Sequence, residues 1–147
     1  MSDCLFCKII NREIPADIIY EDDLVLAFSD INPQAPNHIL IISKKHIAKI
    51  SDLKEEEAHL IAQMVIAANK IAEGKGLTDK GYRIVLNCGK DAGQEVFHVH
   101  LHLLSGRKFT WPPGYAKPSQ IVSTLFLRSF EENGQTLLPY RAAFISL

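Results

Sequence analysis

Nothing in this chain points to a membrane, a disulfide scaffold or a nucleic-acid duplex. Its 147 residues hold no apolar run of ~18, so no membrane span is expected. Met1-Ser2-Asp3-Cys4 has neither the basic nor the apolar region of a secretory signal, and a cytoplasmic protein is the expectation. Cysteine is scarce and odd in number: three thiols in a reducing compartment suggest metal binding or free cysteines, not bridges. Charge of either sign is lacking in excess. Sixteen Lys and Arg face seventeen Asp and Glu, and a net charge of −1 with pI near 6.6 gives no basic footprint for nucleic acid. A small anionic ligand held by a few local donors stays compatible with that balance. Internal repeats and low-complexity tracts are absent. What remains, at 47% hydrophobic, is one compact domain able to bury roughly 68–70% of its unfolded surface.

Histidine is concentrated instead. Three of the six fall at His98, His100 and His102, separated by Val99 and Leu101. That alternation is the period of a β-strand, with the imidazoles on one face and the aliphatics on the other. At a rise of ~3.3 Å per residue, neighbouring imidazoles sit ~6.6 Å apart and the outer two ~13 Å apart. One metal cannot be gripped by all three, because zinc–nitrogen bonds are only ~2.0–2.1 Å. A row of groups that bind, attack and pass protons along a phosphate ester fits better. An imidazole with a pKa of ~6.5 is largely neutral at pH 7 and is a competent nucleophile toward phosphorus. His100, with a histidine on either side, is the favoured nucleophile on geometry alone.

The surrounding chain alternates strands with one long helix. Ser2 to Arg12 reads as a short helix, capped by Ser2 or Asp3 and ended by Ile14-Pro15. Cys4 and Cys7 lie one turn apart on it; locally the pair suits two buried hydrophobes as well as two metal ligands. Ile18–Tyr20 and Leu24–Ser29 form a hairpin, His38–Ile42 a covered central strand, Tyr82–Asn87 a fourth strand and residues 96–104 a fifth. Between them, Lys54 to Gly74 forms an amphipathic helix. Asp52 and Glu55 supply its capping box, and Ala58, Ile61, Val65, Ala68 and Ala72 its stripe, widened by Leu60, Met64 and Ile71. His59 reads as a surface residue and Cys88 as a free thiol. The sum is an α+β fold with a mostly antiparallel sheet.

His98-Val99-His100-Leu101-His102-Leu103-Leu104 resembles the histidine triad (HIT) signature, His-φ-His-φ-His-φ-φ with φ apolar. Gly93-Gln94 before it, and Gly106-Arg107 with Trp111-Pro112-Pro113-Gly114 after it, resemble the nucleotide-binding, HINT-type branch. The likeness runs from about Cys4 to Gly114, so residues 1–114 are expected to form a HIT domain. Residues 115–147 form a C-terminal extension of undecided role, which reads equally as a segment packed across a dimer, a disordered appendage or an added tail. The resemblance implies a five-stranded antiparallel sheet, one long helix and a short N-terminal helix, in a homodimer whose sheets join and in which Trp111 nears the partner's site.

It further implies hydrolysis of the P–N bond of purine nucleoside 5′-phosphoramidates. His100 would be the nucleophile. His102 would hold the phosphate and move a proton, and His38 would complete the site, although by itself His38 reads also as a buried core histidine. Asp30 matches the residue that takes the ribose hydroxyls, and Phe6, Ile9, Phe28 and Ile31 match the apolar slot for the base; each is locally as well explained by loop or core. Asn87 and the segment Gly93, Gln94, Glu95 and Val96 match the phosphate-side contacts, where glycine-turn N–H groups suit an oxyanion. Many relatives carry Ser or Thr at Glu95, so the leaving group is left open, as is adenine against guanine. The family's structural zinc set maps onto Cys4, Cys7, His46 and His98, a closed Cys₂His₂ site. Other readings are a dinucleoside polyphosphate hydrolase and a nucleotide-binding module without turnover.

Overall fold

A computed structural model describes residues 3–110. Five strands form one antiparallel sheet in the order β1-β2-β3-β5-β4. They are β1 (Ile18–Glu21), β2 (Val25–Ser29), β3 (Asn37–Ser43), β4 (Tyr82–Leu86) and β5 (His100–Ser105). The helices are α1 (Leu5–Ile10) and α2 (Ala58–Gly74). Among the described residues no helix is long and apolar enough to cross a membrane. Trp111 to Gly114 and the extension 115–147 lie outside the described residues.

β2 and β3 are central and buried nearly throughout, as their continuous apolar composition requires. Alternate residues serve opposite faces. Val25, Ala27, Ile39, Ile41, Leu101 and Leu103 pack under α2, whereas Leu26, Phe28, Leu40 and Ile42 pack with Phe6 and Ile9 of α1. His100 and His102 alternate with Leu101 and Leu103, so they share the α1 face.

Several boundaries differ from the sequence expectation. Asp3 does not cap α1; its N-cap is Cys4, without a side-chain bond, and Asp3 pairs with Lys8 at 2.7 Å. α1 ends before Ile14-Pro15, because Arg12 turns left-handed at φ +64°. The capping box ahead of α2 is not Asp52 with Glu55. Glu57 Oε2 instead accepts the Lys54 N–H at 3.0 Å, and residues Glu55–Glu57 form a 3₁₀ turn before the helix proper. The buried stripe of α2 is Leu60, Met64, Ala67, Ala68, Ile71 and Ala72, while Ala58 and Val65 face solvent. The larger side chains thus set its rotation against the sheet. His59 and Cys88 are exposed as expected.

The largest difference concerns β5, which starts at His100 and not at residue 96. The β3 partner of His100 is Ile42, and β3 ends one residue later. With no ladder to join, residues 96–98 bend, and Val99 N–H bonds Ile47 O at 2.7 Å.

Candidate active site and metal-ligand cluster

Histidines from two strands meet on the α1 face. In the β3–β5 register Leu40 lies opposite His102, which brings His38 diagonally beside it. His38 Nε2 and His102 Nδ1 are 2.9 Å apart, and the rings of His100 and His102 are 4.9 Å apart. Phe6 closes over His100 edge-on at 5.3 Å.

Each ring's protonation follows from its partner. His100 Nδ1 lies 2.6 Å from the His98 carbonyl, which can only accept, so Nδ1 carries the proton and Nε2 is a bare lone pair. The Gln34 N–H donates to His38 Nδ1 at 3.1 Å, so His38 bears its proton on Nε2 and donates it to His102 Nδ1. His102 then carries its own proton on Nε2, a buried nitrogen with no partner. A bare nucleophilic nitrogen and an orphaned donor therefore stand side by side.

Burial favours the neutral form of His38 and His102. It pushes His102 down to about 4, with His100 and His38 adding to the shift and Asp30 opposing it. Burial likewise lowers His38, against the pull of the Asp30 carboxylate 3.4 Å away. Asp30 also accepts the Asn32 N–H at 2.8 Å, which shapes its loop. Gly106, at φ +90°, lets the end of β5 close on that loop; a Cβ there would stand 2.8 Å from Pro36 Cβ. Arg107 Nε–H then bonds the Gln34 carbonyl at 3.2 Å, on the other side of the residue whose N–H orients His38.

His98 faces elsewhere. Its Nδ1 lies 3.5 Å from Cys4 Sγ, 3.7 Å from Cys7 Sγ and 3.2 Å from His46 Nδ1, and Cys7 Sγ is 3.4 Å from His46 Nδ1. Around a tetrahedral zinc, bonds of ~2.3 Å to sulfur and ~2.0–2.1 Å to nitrogen give ligand–ligand edges of about 3.5 Å for S···N and 3.3 Å for N···N. These four separations already stand near those edges, and all four ligand atoms lie within 4.8 Å of one another. His98 Nε2–H donates to the Ser43 carbonyl at 2.7 Å, which leaves Nδ1 bare toward the cluster, as a metal ligand requires. Burial, above all, lowers His98 to about 4, helped by His46 and His100 and opposed by the Ser43 bond. Asp30, His38 and His102 also lie close enough to hold an ion. There the Gln34 N–H occupies Nδ1 of His38 and puts the proton on the nitrogen that faces the group, so this trio suits a hydrogen-bonded relay.

The other residues singled out by sequence sort unevenly. Phe6, Ile9 and Phe28 are buried in one cluster, whereas Ile31 stands clear at 101% exposure on the Asp30 loop. Asn87 follows β4 and faces the turn at Gly93. Gln94 is buried and its amide is fully engaged: Oε1 accepts the Gly89 N–H at 2.9 Å, and Nε2 donates to Ala48 O at 2.7 Å and Val96 O at 3.2 Å. The N–H groups of Gly93 and Gln94 bond Lys90 O and Gly89 O. Those of Glu95 and Val96 are the turn's uncommitted donors among the described residues. Glu95 is exposed and lines a cleft of about 460 Å³ with Cys4, His46, Val96 and Phe97. Sequence reasoning missed the carbonyls of His98 and Ser43 and the N–H of Gln34. These are backbone groups, on which residue identity carries no signal.

Comparison with known proteins gives the same outline. The profile of the HIT domain family matches residues 11–109. The purine nucleoside phosphoramidase of Escherichia coli K12 is 52% identical over 103 residues, 70% of this chain and 87% of that protein. Among solved structures, a HIT family hydrolase from Legionella pneumophila Philadelphia 1 is 55% identical, with a TM-score of 0.75 over 76% of this chain and 100% of the other. A histidine triad protein from Clostridium difficile is 47% identical, with a TM-score of 0.73 over 79% of this chain and 98% of that one.

Proposed function

The chain belongs to the HIT family, and from that membership we propose that it is a hydrolase of purine nucleoside 5′-phosphoramidates acting through a nucleotidyl-His100 intermediate. One observation carries the reading: the His98 carbonyl holds the His100 proton on Nδ1, so Nε2 is free to attack beside the unpartnered His102 donor. His100 Nε2 attacks phosphorus, the new P–N bond forms, and the bond to the amine breaks as the amine leaves with a proton taken from water. Water then attacks phosphorus, the P–Nε2 bond breaks, and the water's proton passes to the hydroxide left by the first step, so that His100 Nε2 is bare again. The His102 Nε2–H bonds a phosphoryl oxygen, and His38 donates into the far side of that ring and keeps its tautomer. The Glu95 and Val96 N–H groups are aimed donors of the kind worth ~10²–10³ in rate at an oxyanion.

The relative named a purine nucleoside phosphoramidase supports this substrate class. Incubation with adenosine 5′-phosphoramidate should release AMP, and His100→Ala should slow release by at least about 10³-fold. Equal rates for the two proteins would end the reading. Faster turnover of a diadenosine polyphosphate at equal concentration would move the chain to the dinucleoside polyphosphate branch.

Cys4, Cys7, His46 and His98 are suited to a structural zinc. With four protein ligands it offers substrate no open position, and its chemistry is to tie α1 to the sheet. A homodimer joined along β4 is the accompanying proposal. Among the described residues β4 ends the sheet, and all five of its residues are half-buried, which suits a second copy's sheet joining there.

A further inference from the structure

Two arrangements meet at His98. Its buried side chain points Nδ1 into the Cys4–Cys7–His46 cluster, while its main-chain carbonyl accepts the His100 Nδ1–H at 2.6 Å. We propose that His98 is a positioning residue through which closure of the Cys₂His₂ cluster by a metal sets the tautomer and aim of the nucleophile His100. The inference rests on the zinc and phosphoramidase readings above.

The ladder does not fix the His98 carbonyl. Residues 96–98 bend outside the sheet, and pairing with β3 begins only at His100 and Ile42. What anchors His98 is its ring, through Nε2–H to Ser43 O and through Nδ1 to the cluster, together with the Val99 N–H of the same peptide, which bonds the carbonyl of Ile47, the neighbour of the cluster's His46. With an ion bound, two sulfurs and two nitrogens can stay at 3.2–3.7 Å. Without one, the lone pairs on those atoms face each other, and the cluster relaxes by separation of its ligands. His98 has no exposed surface over which to turn, so the movement passes to its backbone. The carbonyl then shifts from His100 Nδ1, and that ring can carry its proton on Nε2, where the lone pair is needed. Losing one orienting hydrogen bond of this kind changes a population or rate by about 2- to 10-fold. His98 touches no substrate in this scheme, and it acts through His100.

The test uses the full chain, loaded with zinc, stripped by chelator well below its melting temperature, and reloaded. One readout is the single-turnover rate with adenosine 5′-phosphoramidate. The other is long-range ¹H–¹⁵N NMR of the histidine rings, which reports the tautomer of His100 directly. Stripping should lower the rate constant about 2- to 10-fold with KM within about twofold, and should mix the tautomers; zinc should restore both. An unchanged rate and tautomer overturn the proposal. So does a lower rate with an unchanged tautomer, or a chain that takes up no zinc. Should the stripped protein unfold, cadmium in place of zinc decides. It closes the same cluster with longer metal–sulfur bonds and should move tautomer and rate in the same direction; identical values overturn the coupling. AMP release from no form, with a tautomer that still follows the metal, would sink the substrate reading and leave the coupling standing.

Discussion

At the scale of single residues, the site works by keeping imidazoles neutral and pointed. His102 illustrates the cost. Its folded pKa of about 4 lies below the ordinary ~6.5, so between those values the unfolded chain binds more protons than the folded one. Its contribution to stability is therefore complete above about pH 6.5 and is lost as pH falls toward 4. Urea midpoints measured at pH 7 and pH 4.5 should show that loss, and His102→Gln should make the difference smaller. The same neutrality predicts that the His38–His102 pair keeps its neutral tautomers at pH 6.5, read by long-range ¹H–¹⁵N NMR of the two rings. Removing the donor altogether, as His102→Ala, should slow cleavage by ~10²–10⁴-fold, the range of a positioned proton-transfer or hydrogen-bonding group. A loss of less than twofold would leave His102 without a role.

At the scale of elements, a single buried amide organises the turn between β4 and β5. Gln94 bonds the backbone at Gly89, Ala48 and Val96, and thereby shapes the turn that carries Glu95 and Val96. Gln94→Leu takes this partner from the Gly89 N–H and the Ala48 carbonyl, while Val96 O keeps the His98 N–H. It should lower stability by roughly 1–3 kcal/mol and raise KM for the phosphoramidate, read by denaturant titration and steady-state kinetics. α2 holds the opposite face of the sheet and makes a control. Met64, fully buried between that helix and the sheet, should cost about 2–5 kcal/mol as Met64→Ala while KM stays unchanged. α1 and its N-cap carry Cys7 and Cys4, so a bound zinc would add to the anchorage that Phe6 and Ile9 give it. Elemental analysis should find about one zinc per chain, and Cys4→Ser with Cys7→Ser should abolish its uptake and lower Tm. Zinc below about a tenth of an equivalent, without uptake on addition, would make both thiols ordinary core residues.

At the scale of the whole molecule, the open question is the edge at β4. Light scattering at micromolar concentration should give twice the chain mass of 16.5 kDa; a monomer would mean that the edge is covered by something other than a second copy.

The sequence by itself determined the fold class, because period and composition are local properties. The alternation His100-Leu101-His102-Leu103, the continuous run Ile39 to Ile42 and the long apolar stripe of α2 each declare an element and a buried face without reference to the rest of the chain. It also determined which side chains could do chemistry, since imidazole, thiol and carboxylate are rare enough to stand out. It misplaced what pairing decides. The fifth strand begins at His100 because β3 supplies no partner beyond Ser43, and that lies in another segment. The rotation of α2 and the displaced capping box were settled by packing in the same way. The division of the histidine row, which the family resemblance implied, has its physical cause in tertiary structure, where His98 faces Cys4, Cys7 and His46 while His102 meets His38 beside His100. The proton on each ring is fixed by a backbone group, from Gln34, Ser43 or His98 itself, and every residue type offers the same carbonyl; only the fold determines where it points.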